Sequence, residues 1–147
     1  MNTVIIEGAM AFMACLFFAI VYNTPKRELI FCALFGGLAY GLYYYLGHFF
    51  GYGVMANFCG ALLIAVLARI TSEHRQIPIM VYVLPAVFPL SPGGNMYRAG
   101  YALIKSEIFT FIEQSVICIK IVGVCVIAIL LVLSLPEFIF IPFRREK

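Results

Sequence analysis

The sequence predicts an all-α integral membrane protein with five transmembrane segments, of which the fourth is short and broken by prolines. Hydrophobic residues make up 64% of the 147 positions, and the chain contains neither Asp nor Trp. This composition is too apolar for a water-soluble domain of this length. The apolar residues also fall into separate runs divided by turn-forming and charged residues. We therefore interpret residues 1–147 as a single transmembrane module.

Five apolar runs account for the predicted segments. A helix needs about 17–25 apolar residues to cross a bilayer, and four of the runs have this length. The fourth run along the chain is shorter and contains three prolines, so it is expected to cross only with help from the segment that follows it. The predicted segments are 4–22, 29–46, 54–70, 77–91 and 116–135.

The basic residues predict the orientation of these segments. Seven of the ten Lys and Arg residues lie in the first loop, the third loop and the C-terminal tail, which share one side if five segments cross. The positive-inside rule makes that side cytoplasmic, with the N-terminus outside and the C-terminus inside. The first run has no basic residues before it, so it is interpreted as a retained span rather than a signal peptide. The seven basic residues are Lys26, Arg27, Arg69, Arg75, Arg144, Arg145 and Lys147.

The composition argues against several functional classes. The net charge of +3 comes from charges at helix ends rather than on one face, which is not the pattern of a nucleic-acid-binding protein. The five cysteines lie in apolar runs without a CxxC or Cys/His cluster, so they are interpreted as small buried residues, and no metal or cofactor is expected. No HExxH or GxSxG motif occurs, and the two histidines are predicted at opposite membrane faces, so we do not expect an enzyme.

The stretch 69–105 differs from the rest of the chain, because it holds four of the seven prolines and the Gly93-Gly94 pair. Such a segment suits a broken helix that lines a polar cavity in a transporter better than a helix that faces lipid. The alternative interpretation is a plain corner between two helices, which proline and glycine also mark.

The sequence Ser91-Pro92 is typical of an N-cap followed by the first residue of a helix. The next backbone amides, those of Gly93, Gly94 and Asn95, would then be free donors at a helix N-terminus. Such an end carries partial positive charge, and glycines allow a ligand to approach the backbone, so this position suits a carboxylate.

Arg98 and Lys105 are seven residues apart and are predicted to share one helical face. Together with the Gly93-Gly94 amides they would form a positive pocket. A charge near the middle of the bilayer costs about 2.5–3.5 kcal/mol, so a buried one needs a role or a partner. The alternative is that both side chains reach the outer headgroups.

Four other charges lie in or near apolar sequence and are candidates for proton coupling or ion pairing. Glu113 and Lys120 are seven residues apart and would pair with each other, or would meet Glu7 across helices. A buried carboxylate is able to carry a proton. The alternative for each charge is a structural ion pair or a position at the membrane interface. The candidates are Glu7, Glu107, Glu113 and Lys120.

Two further features concern packing and the third loop. Gly37 and Gly41 match the GxxxG pattern, which lets two helix backbones approach closely, although the pattern also occurs by chance. The charges of the third loop are interpreted as topology determinants and headgroup contacts, and an ion pair that gates a pathway is the alternative. These charges are Arg69, Glu73, His74 and Arg75.

The order of landmarks along the chain carries a family resemblance. An Asn-x-Pro-x-Arg corner ends the first span at Asn23, Pro25 and Arg27, and the stretch 33–38 reads Ala-Leu-Phe-Gly-Gly-Leu. A later span ends in Ala68-Arg69, and a Pro-x-x-x-Pro-x-x-Pro-Gly stretch follows, with a tyrosine four residues on. Over nearly its whole length the chain resembles the threonine/serine exporter family, specifically the small subunit of its split, two-gene form. The motif residues are Pro85, Pro89, Pro92, Gly93 and Tyr97.

The resemblance implies a five-span module that works with a larger partner subunit in a bacterial cytoplasmic membrane. The family exports small hydroxylated amino acids, is regarded as driven by the proton gradient, and includes split members linked to dicarboxylates such as succinate. Gly94-Asn95 after the motif glycine departs from the family pattern. The residues themselves agree with this resemblance in one respect. Both substrate classes carry a carboxylate, and the chain offers a positively charged site.

The resulting hypothesis is a subunit of a secondary exporter, with the substrate carboxylate bound at 91–98 and with lipid and the larger subunit as partners. Two alternatives remain, an accessory or scaffold subunit without its own substrate site and a homo-oligomeric channel. The predicted substrate-binding residues are Pro89, Ser91, Pro92, Gly93, Gly94, Asn95, Tyr97, Arg98 and Lys105.

Overall fold

The computed structural model describes residues 2–51 and 53–135, and every regular element in these ranges is helical. The predicted all-α class is therefore confirmed for the described residues. A 3₁₀ turn at Phe88–Leu90 follows the fourth of six α-helices. The helices are α1 (Asn2–Val21), α2 (Leu29–Phe50), α3 (Gly53–Arg75), α4 (Met80–Val87), α5 (Gly93–Ile104) and α6 (Ile108–Ser134).

Four of the helices are long and apolar enough to cross a membrane, namely α1, α2, α3 and α6. These helices confirm four of the predicted segments. Between α3 and α6 the chain forms two shorter helices, α4 with its 3₁₀ turn and then α5. A fifth crossing, and its interruption by prolines within the membrane, stay predictions.

Two of these four helices extend at one end by five residues or more beyond the apolar runs that predicted them. The third helix ends at Arg75 rather than at residue 70, and α6 begins at Ile108 rather than at residue 116. The added residues include polar ones such as Thr110 and Glu113. A helix continues into the interfacial layer because its backbone hydrogen bonds do not depend on apolar side chains.

Glycines allow α1 and α2 to pack closely. A Cβ atom added to Gly37 would lie 3.1 Å from the backbone oxygen of Gly8 and 3.0 Å from the Cβ of Phe12. A larger residue at position 37 would therefore push the two helices apart. The close approach predicted from the Gly37–Gly41 pattern is confirmed at Gly37.

The short helix α4 lies inside the bundle, against α1, α2 and α3. Its Tyr82 and Ala86 are fully buried. A Cβ atom on Gly36 of α2 would fall 2.0 Å from the Sγ of Cys15 and 3.2 Å from the carbonyl oxygen of Ala86. Small residues thus bring α1, α2 and α4 together at one level, and many of the core residues are alanines, including Ala19, Ala39, Ala61, Ala68, Ala86 and Ala128.

Helix α5 has a different environment, since among the described helices it packs only against α6. Its buried residues are Ala99 and Ala102, whereas the side chain of Tyr97 is 74% exposed and that of Ile104 is 84% exposed. We call residues 93–118, which comprise α5 and the part of α6 beside it, the arm. Farther along, α6 packs against α3 through Cys125, Ala128 and Val132.

Candidate functional site

The helical structure is interrupted at Ser91 and Pro92, within the stretch that the sequence singled out. The backbone of Ser91 is extended, with φ −65° and ψ 143°, and α5 begins at Gly93. Ser91 was predicted to cap α5, and this prediction is wrong. Its hydroxyl donates to the carbonyl oxygen of Phe88 at 2.7 Å, an oxygen that also accepts the backbone N–H of Ser91 at 3.1 Å. Pro92 occupies the N-cap position without a side-chain hydrogen bond.

The interruption lies about halfway along α2, and nearer to the N-terminal ends of α3 and α6. A Cβ on Gly60 would touch both the Leu90 side chain and the backbone oxygen of Ala39, so Leu90 lies at the level of Ala39. From Leu29 to Ala39 is about 15 Å along the α2 axis, half of a hydrocarbon core of about 30 Å. On the other side, the Sγ of Cys118 lies 4.0 Å from the carbonyl oxygen of Pro92, and Cys118 is also about 15 Å along its helix from Ile108.

The predicted substrate-binding residues are consecutive around this interruption and along α5. Pro92 is buried and Asn95 is partly buried, whereas Gly93 and Gly94 are exposed. A Cβ atom built on either glycine would meet nothing within 4 Å. The space beside these two glycines is therefore open. The Gly93 N–H, which was predicted to be a free donor, instead donates to the carbonyl oxygen of Ser91 at 2.8 Å. Pro89 in the 3₁₀ turn is partly buried, and Ser91, Tyr97, Arg98 and Lys105 are exposed.

The two cations of this set lie at different distances from the start of α5. Arg98 is about 7 Å along the helix axis from Gly93, and Lys105 is about 18 Å from it. The ammonium of Lys105 lies 4.8 Å from the centroid of the Tyr101 ring, and Tyr101 in turn stacks on Tyr97 with centroids 6.4 Å apart. Arg98 is therefore the cation nearer to the Gly93 and Gly94 backbone.

The predicted proton-coupling candidates are spread over the structure rather than gathered. Glu7 is partly buried on α1. Glu107 is the exposed N-cap residue of α6 and makes no side-chain capping bond. Glu113 and Lys120 are exposed on α6, and no ion pair joins them in the part of the chain that the structure describes.

The structure adds a buried carboxylate that sequence reasoning missed. Glu28, immediately before α2, is only 3% exposed. Its Oε1 accepts a hydrogen bond from Nη1 of Arg75 at 2.9 Å, and its Oε2 accepts one from the hydroxyl of Tyr82 at 2.8 Å. One carboxylate thus ties together the start of α2, the end of α3 and α4. Charge-assisted bonds of this kind are the stronger class of protein hydrogen bonds.

Glu28 lines a polar cleft of about 620 Å³ at this end of the bundle, which we call the Glu28 cleft. Arg75 forms part of its wall, with Cζ 4.6 Å from the centroid of the Phe31 ring. The guanidinium is held both by the ring and by the carboxylate. The lining residues are Pro25, Arg27, Glu28, His74, Arg75, Gln76 and Ile77.

The charges of the third loop divide into two groups. Arg69 and Glu73 form a local pair on α3, with Nε 3.4 Å from Oε1. Arg75 instead reaches Glu28, 47 residues earlier in the chain. An ion pair is thus present at this corner, and its action as a gate, which was the alternative interpretation of the loop, stays a prediction. The only sequence signal for it was an acidic residue directly ahead of the apolar run that begins at Leu29.

The chain matches the profile of a known protein family. The profile of a family described as "Threonine/Serine exporter, ThrE" matches residues 7–135. The match covers most of the chain and reaches from α1 to the end of α6. No solved structure matches the chain significantly.

Proposed function

This chain belongs to the threonine/serine exporter family, and we propose that it is one subunit of a proton-gradient-driven secondary exporter of small carboxylate-bearing metabolites. The family is a membrane-transport family rather than a class of enzymes. The proposed substrates are threonine and serine, or a dicarboxylate such as succinate. The proposed setting is the cytoplasmic membrane of a bacterium, with a larger partner subunit.

The observation that carries the proposal is the interruption at Ser91 and Pro92, which lies about halfway along α2 and about 15 Å from the start of α6. Helix α4 with its 3₁₀ turn is about 18 Å long, and α5 is about 18 Å long. Together they exceed the hydrocarbon thickness of about 30 Å. We propose that residues 80–104 form a fifth crossing that is broken at its middle, as in transporters whose discontinuous helices bind substrate near the midplane.

Five crossings would place the first loop and the corner between α3 and α4 on one side. The contact between Glu28 and Arg75 supports a shared side for these two segments. They carry Lys26, Arg27 and Arg75, with Arg69 nearly two turns inside α3. The positive-inside rule makes this side cytoplasmic, with the N-terminus outside and the C-terminus inside. The basic tail residues that entered the same prediction lie outside the described residues.

We propose that the substrate carboxylate binds at the start of α5, over residues 91–98. The open space at Gly93 and Gly94 supports this position, as does the charge of Arg98, about 7 Å along the axis. The half-helix end adds partial positive charge in a medium of low dielectric constant. Glu7, Glu107, Glu113 and Lys120 stay candidates for proton coupling or ion pairing.

A larger partner subunit fits the exposure of the arm. Of the elements within 2–51 and 53–135, helix α5 touches only α6. Side chains such as Tyr97 and Phe109, which is 91% exposed, face away from these residues. A substrate site formed by one helix face is incomplete, because a carboxylate inside a membrane needs to be enclosed by further polar groups. We propose that the larger subunit closes this side.

Efflux from substrate-loaded vesicles tests the function directly. The chain is reconstituted alone or with the larger subunit, with and without a proton gradient, and threonine, serine and succinate are compared. Gradient-dependent efflux from the pair alone is the expected result. Efflux from this chain alone, without proton coupling, would indicate a homo-oligomeric channel. No efflux of any of the three substrates from the pair would favour an accessory or scaffold subunit.

Substitutions at the interruption separate a transport subunit from a scaffold. Arg98→Ala is expected to abolish export while the two subunits still assemble, and Lys26→Ala is the matched control because it removes a positive charge outside the proposed site. Replacing Gly93 and Gly94 with leucine should block export without loss of assembly. If assembly is lost instead, this stretch is a docking corner of a scaffold subunit.

A further inference from the structure

We propose that the Glu28 cleft is a second binding site, which receives the zwitterionic head of an α-amino acid on the side from which the exporter is loaded. Arg75 and Arg27 hold the carboxylate, and Glu28 holds the ammonium group. The inference rests on the proposed function and deepens it, because it selects amino acids over dicarboxylates. It concerns a site at the end of the bundle, distinct from the interruption at Ser91 and Pro92.

The cleft offers hydrogen-bond donors for a carboxylate. A guanidinium has five N–H donors in a planar fork, and Nη1 of Arg75 contacts Glu28. The Arg75 side chain is 35% exposed and lines the cleft, so further donors are accessible from it. Arg27 also lines the cleft and forms no ion pair with a described residue. Two guanidinium groups therefore converge on one cavity.

The same cleft offers an acceptor for an ammonium group. Glu28 has two oxygens with about four lone-pair sites, and the structure fills one position on each with Arg75 and Tyr82. A carboxylate with an open position beside a polar cavity attracts a ligand ammonium. Tyr82 does not line the cavity, so it acts as a positioning residue that fixes the orientation of the Glu28 carboxylate.

The two guanidinium groups and the carboxylate of the Glu28 cleft predict which ligand binds there. An amino acid presents one carboxylate and one ammonium on the same carbon, which matches two guanidinium groups beside one carboxylate. A dicarboxylate would bring a second negative charge towards Glu28, whose own charge is buried. Like charges at such distances repel strongly when water is partly excluded. The cleft therefore discriminates between the two substrate classes that the family resemblance leaves open.

The position of the cleft suits loading. It lies between the first loop and the end of α3, the side that carries Lys26, Arg27 and Arg75 and that we propose to be cytoplasmic. Its carboxylate is also bonded to α4 through Tyr82. A ligand that competes for Arg75 would thus change the contacts of the element that leads to the interruption.

Binding measurements that pair variants with altered ligands test this site. Labelled L-threonine, N-acetyl-L-threonine, L-threonine methyl ester and succinate are bound to the purified exporter, which is this chain with its larger subunit, in detergent. Wild type is expected to bind threonine at least tenfold more tightly than the other three. Glu28→Gln should weaken threonine binding at least tenfold and leave N-acetylthreonine unchanged, because that ligand has no ammonium group to lose a partner.

Arg27→Ala keeps the proposal falsifiable if Glu28→Gln unfolds, since Arg27 is exposed. It should weaken threonine binding about fivefold or more and leave the methyl ester unchanged. Its matched control is Lys26→Ala, the adjacent exposed cation that does not line the cleft, for which no change is expected. Tyr82→Phe should weaken threonine binding less than Glu28→Gln does, without changing the preference for threonine over succinate.

The outcomes separate this site from the proposed function. Threonine binding that depends on Glu28 and Arg27 supports the cleft even if vesicles show no transport. Normal transport with unchanged threonine binding in Glu28→Gln and Arg27→Ala overturns the cleft and leaves the function standing. Binding of succinate as tightly as threonine also overturns it when measured in Arg98→Ala, which removes the nearer cation of the proposed carboxylate site at 91–98. If Arg27→Ala alters only the binding of anionic lipid vesicles, the cleft is a headgroup site and the proposal fails.

Discussion

The Glu28 cleft and the arm place the same kinds of residue in opposite environments. At the Glu28 cleft, a carboxylate is buried and bonded to Arg75 and Tyr82. On the arm, Glu113 is exposed and has no ion pair with a described residue. The side chains of the cleft are held in place by contacts within this chain, because three elements meet there. The arm contacts the rest of the described chain on one side only. We place the partner subunit on its other side.

Several glycines of the bundle and of the arm also have opposite environments. A Cβ atom on Gly36 or Gly60 in the bundle would collide with a neighbouring side chain, whereas one on Gly93, Gly94 or Gly100 in the arm would meet nothing within 4 Å. The bundle glycines allow close packing of helices. The arm glycines leave space beside the backbone, and this space is the feature that a ligand at the start of α5 would use.

The largest effect on stability is expected from Glu28→Ala. Removing one partner of a buried ion pair costs about 3–5 kcal/mol, and the lower end applies because Arg75 is partly exposed. The Tyr82 hydroxyl would also lose its acceptor. Unfolding midpoints in detergent measure the change, with Glu113→Ala as the control that is expected to leave the midpoint unchanged. Equal midpoints for the two variants would contradict the contrast between the regions.

The second largest effect on stability is expected from Gly36→Ala. The added methyl group meets Cys15 and the Ala86 carbonyl, and overpacking of this kind costs about 1–3 kcal/mol. Cys15→Ala in the same chain should restore most of the loss, since it removes the sulfur atom that lies closest. Gly100→Ala is the matched control on α5 and should not lower the unfolding midpoint. A Gly36→Ala chain as stable as wild type would mean that α1, α2 and α4 are less tightly packed than described.

A smaller effect is expected from Tyr82→Phe, which removes one hydroxyl and keeps the ring. Hydrogen bonds to charged groups contribute about 1.5–3 kcal/mol, and Glu28 keeps Arg75 as a partner, so the loss should lie near the lower figure. Tyr101→Phe on the arm is the control, because its hydroxyl makes no recorded hydrogen bond to a described residue. We expect Tyr82→Phe to have a lower unfolding midpoint than Tyr101→Phe. Equal midpoints would contradict the contrast between the cleft and the arm.

The smallest effect is expected from Lys105→Gln. Its ammonium packs over the Tyr101 ring at the exposed end of α5, so the unfolding midpoint should not change measurably. Export should fall less than in Arg98→Ala, because Arg98 lies nearer to the start of α5. A Lys105→Gln exporter as inactive as Arg98→Ala would place the substrate along the whole outer face of α5 rather than at its beginning.

The sequence by itself determined that this is a helical membrane protein of the exporter family, and it determined the positions of four candidate spans. Hydrophobicity accumulates along a local stretch, and the limits that proline and glycine set on the backbone act on adjacent residues. The same local rules placed an interruption near Ser91 and Pro92. They did not fix the cap of α5, because the Ser91 hydroxyl is able to accept from an amide of α5 or to donate backwards, and in the structure it donates to the Phe88 carbonyl.

Only the tertiary structure decided which charges are buried together. Glu28 lies 47 residues from Arg75 and 54 residues from Tyr82, and in the sequence it follows Lys26 and Arg27 in an ordinary polar loop. The energy of a charge depends on its burial and on the groups within a few ångströms. Those neighbours come from three separate elements, so no local pattern distinguishes Glu28 from the exposed Glu113.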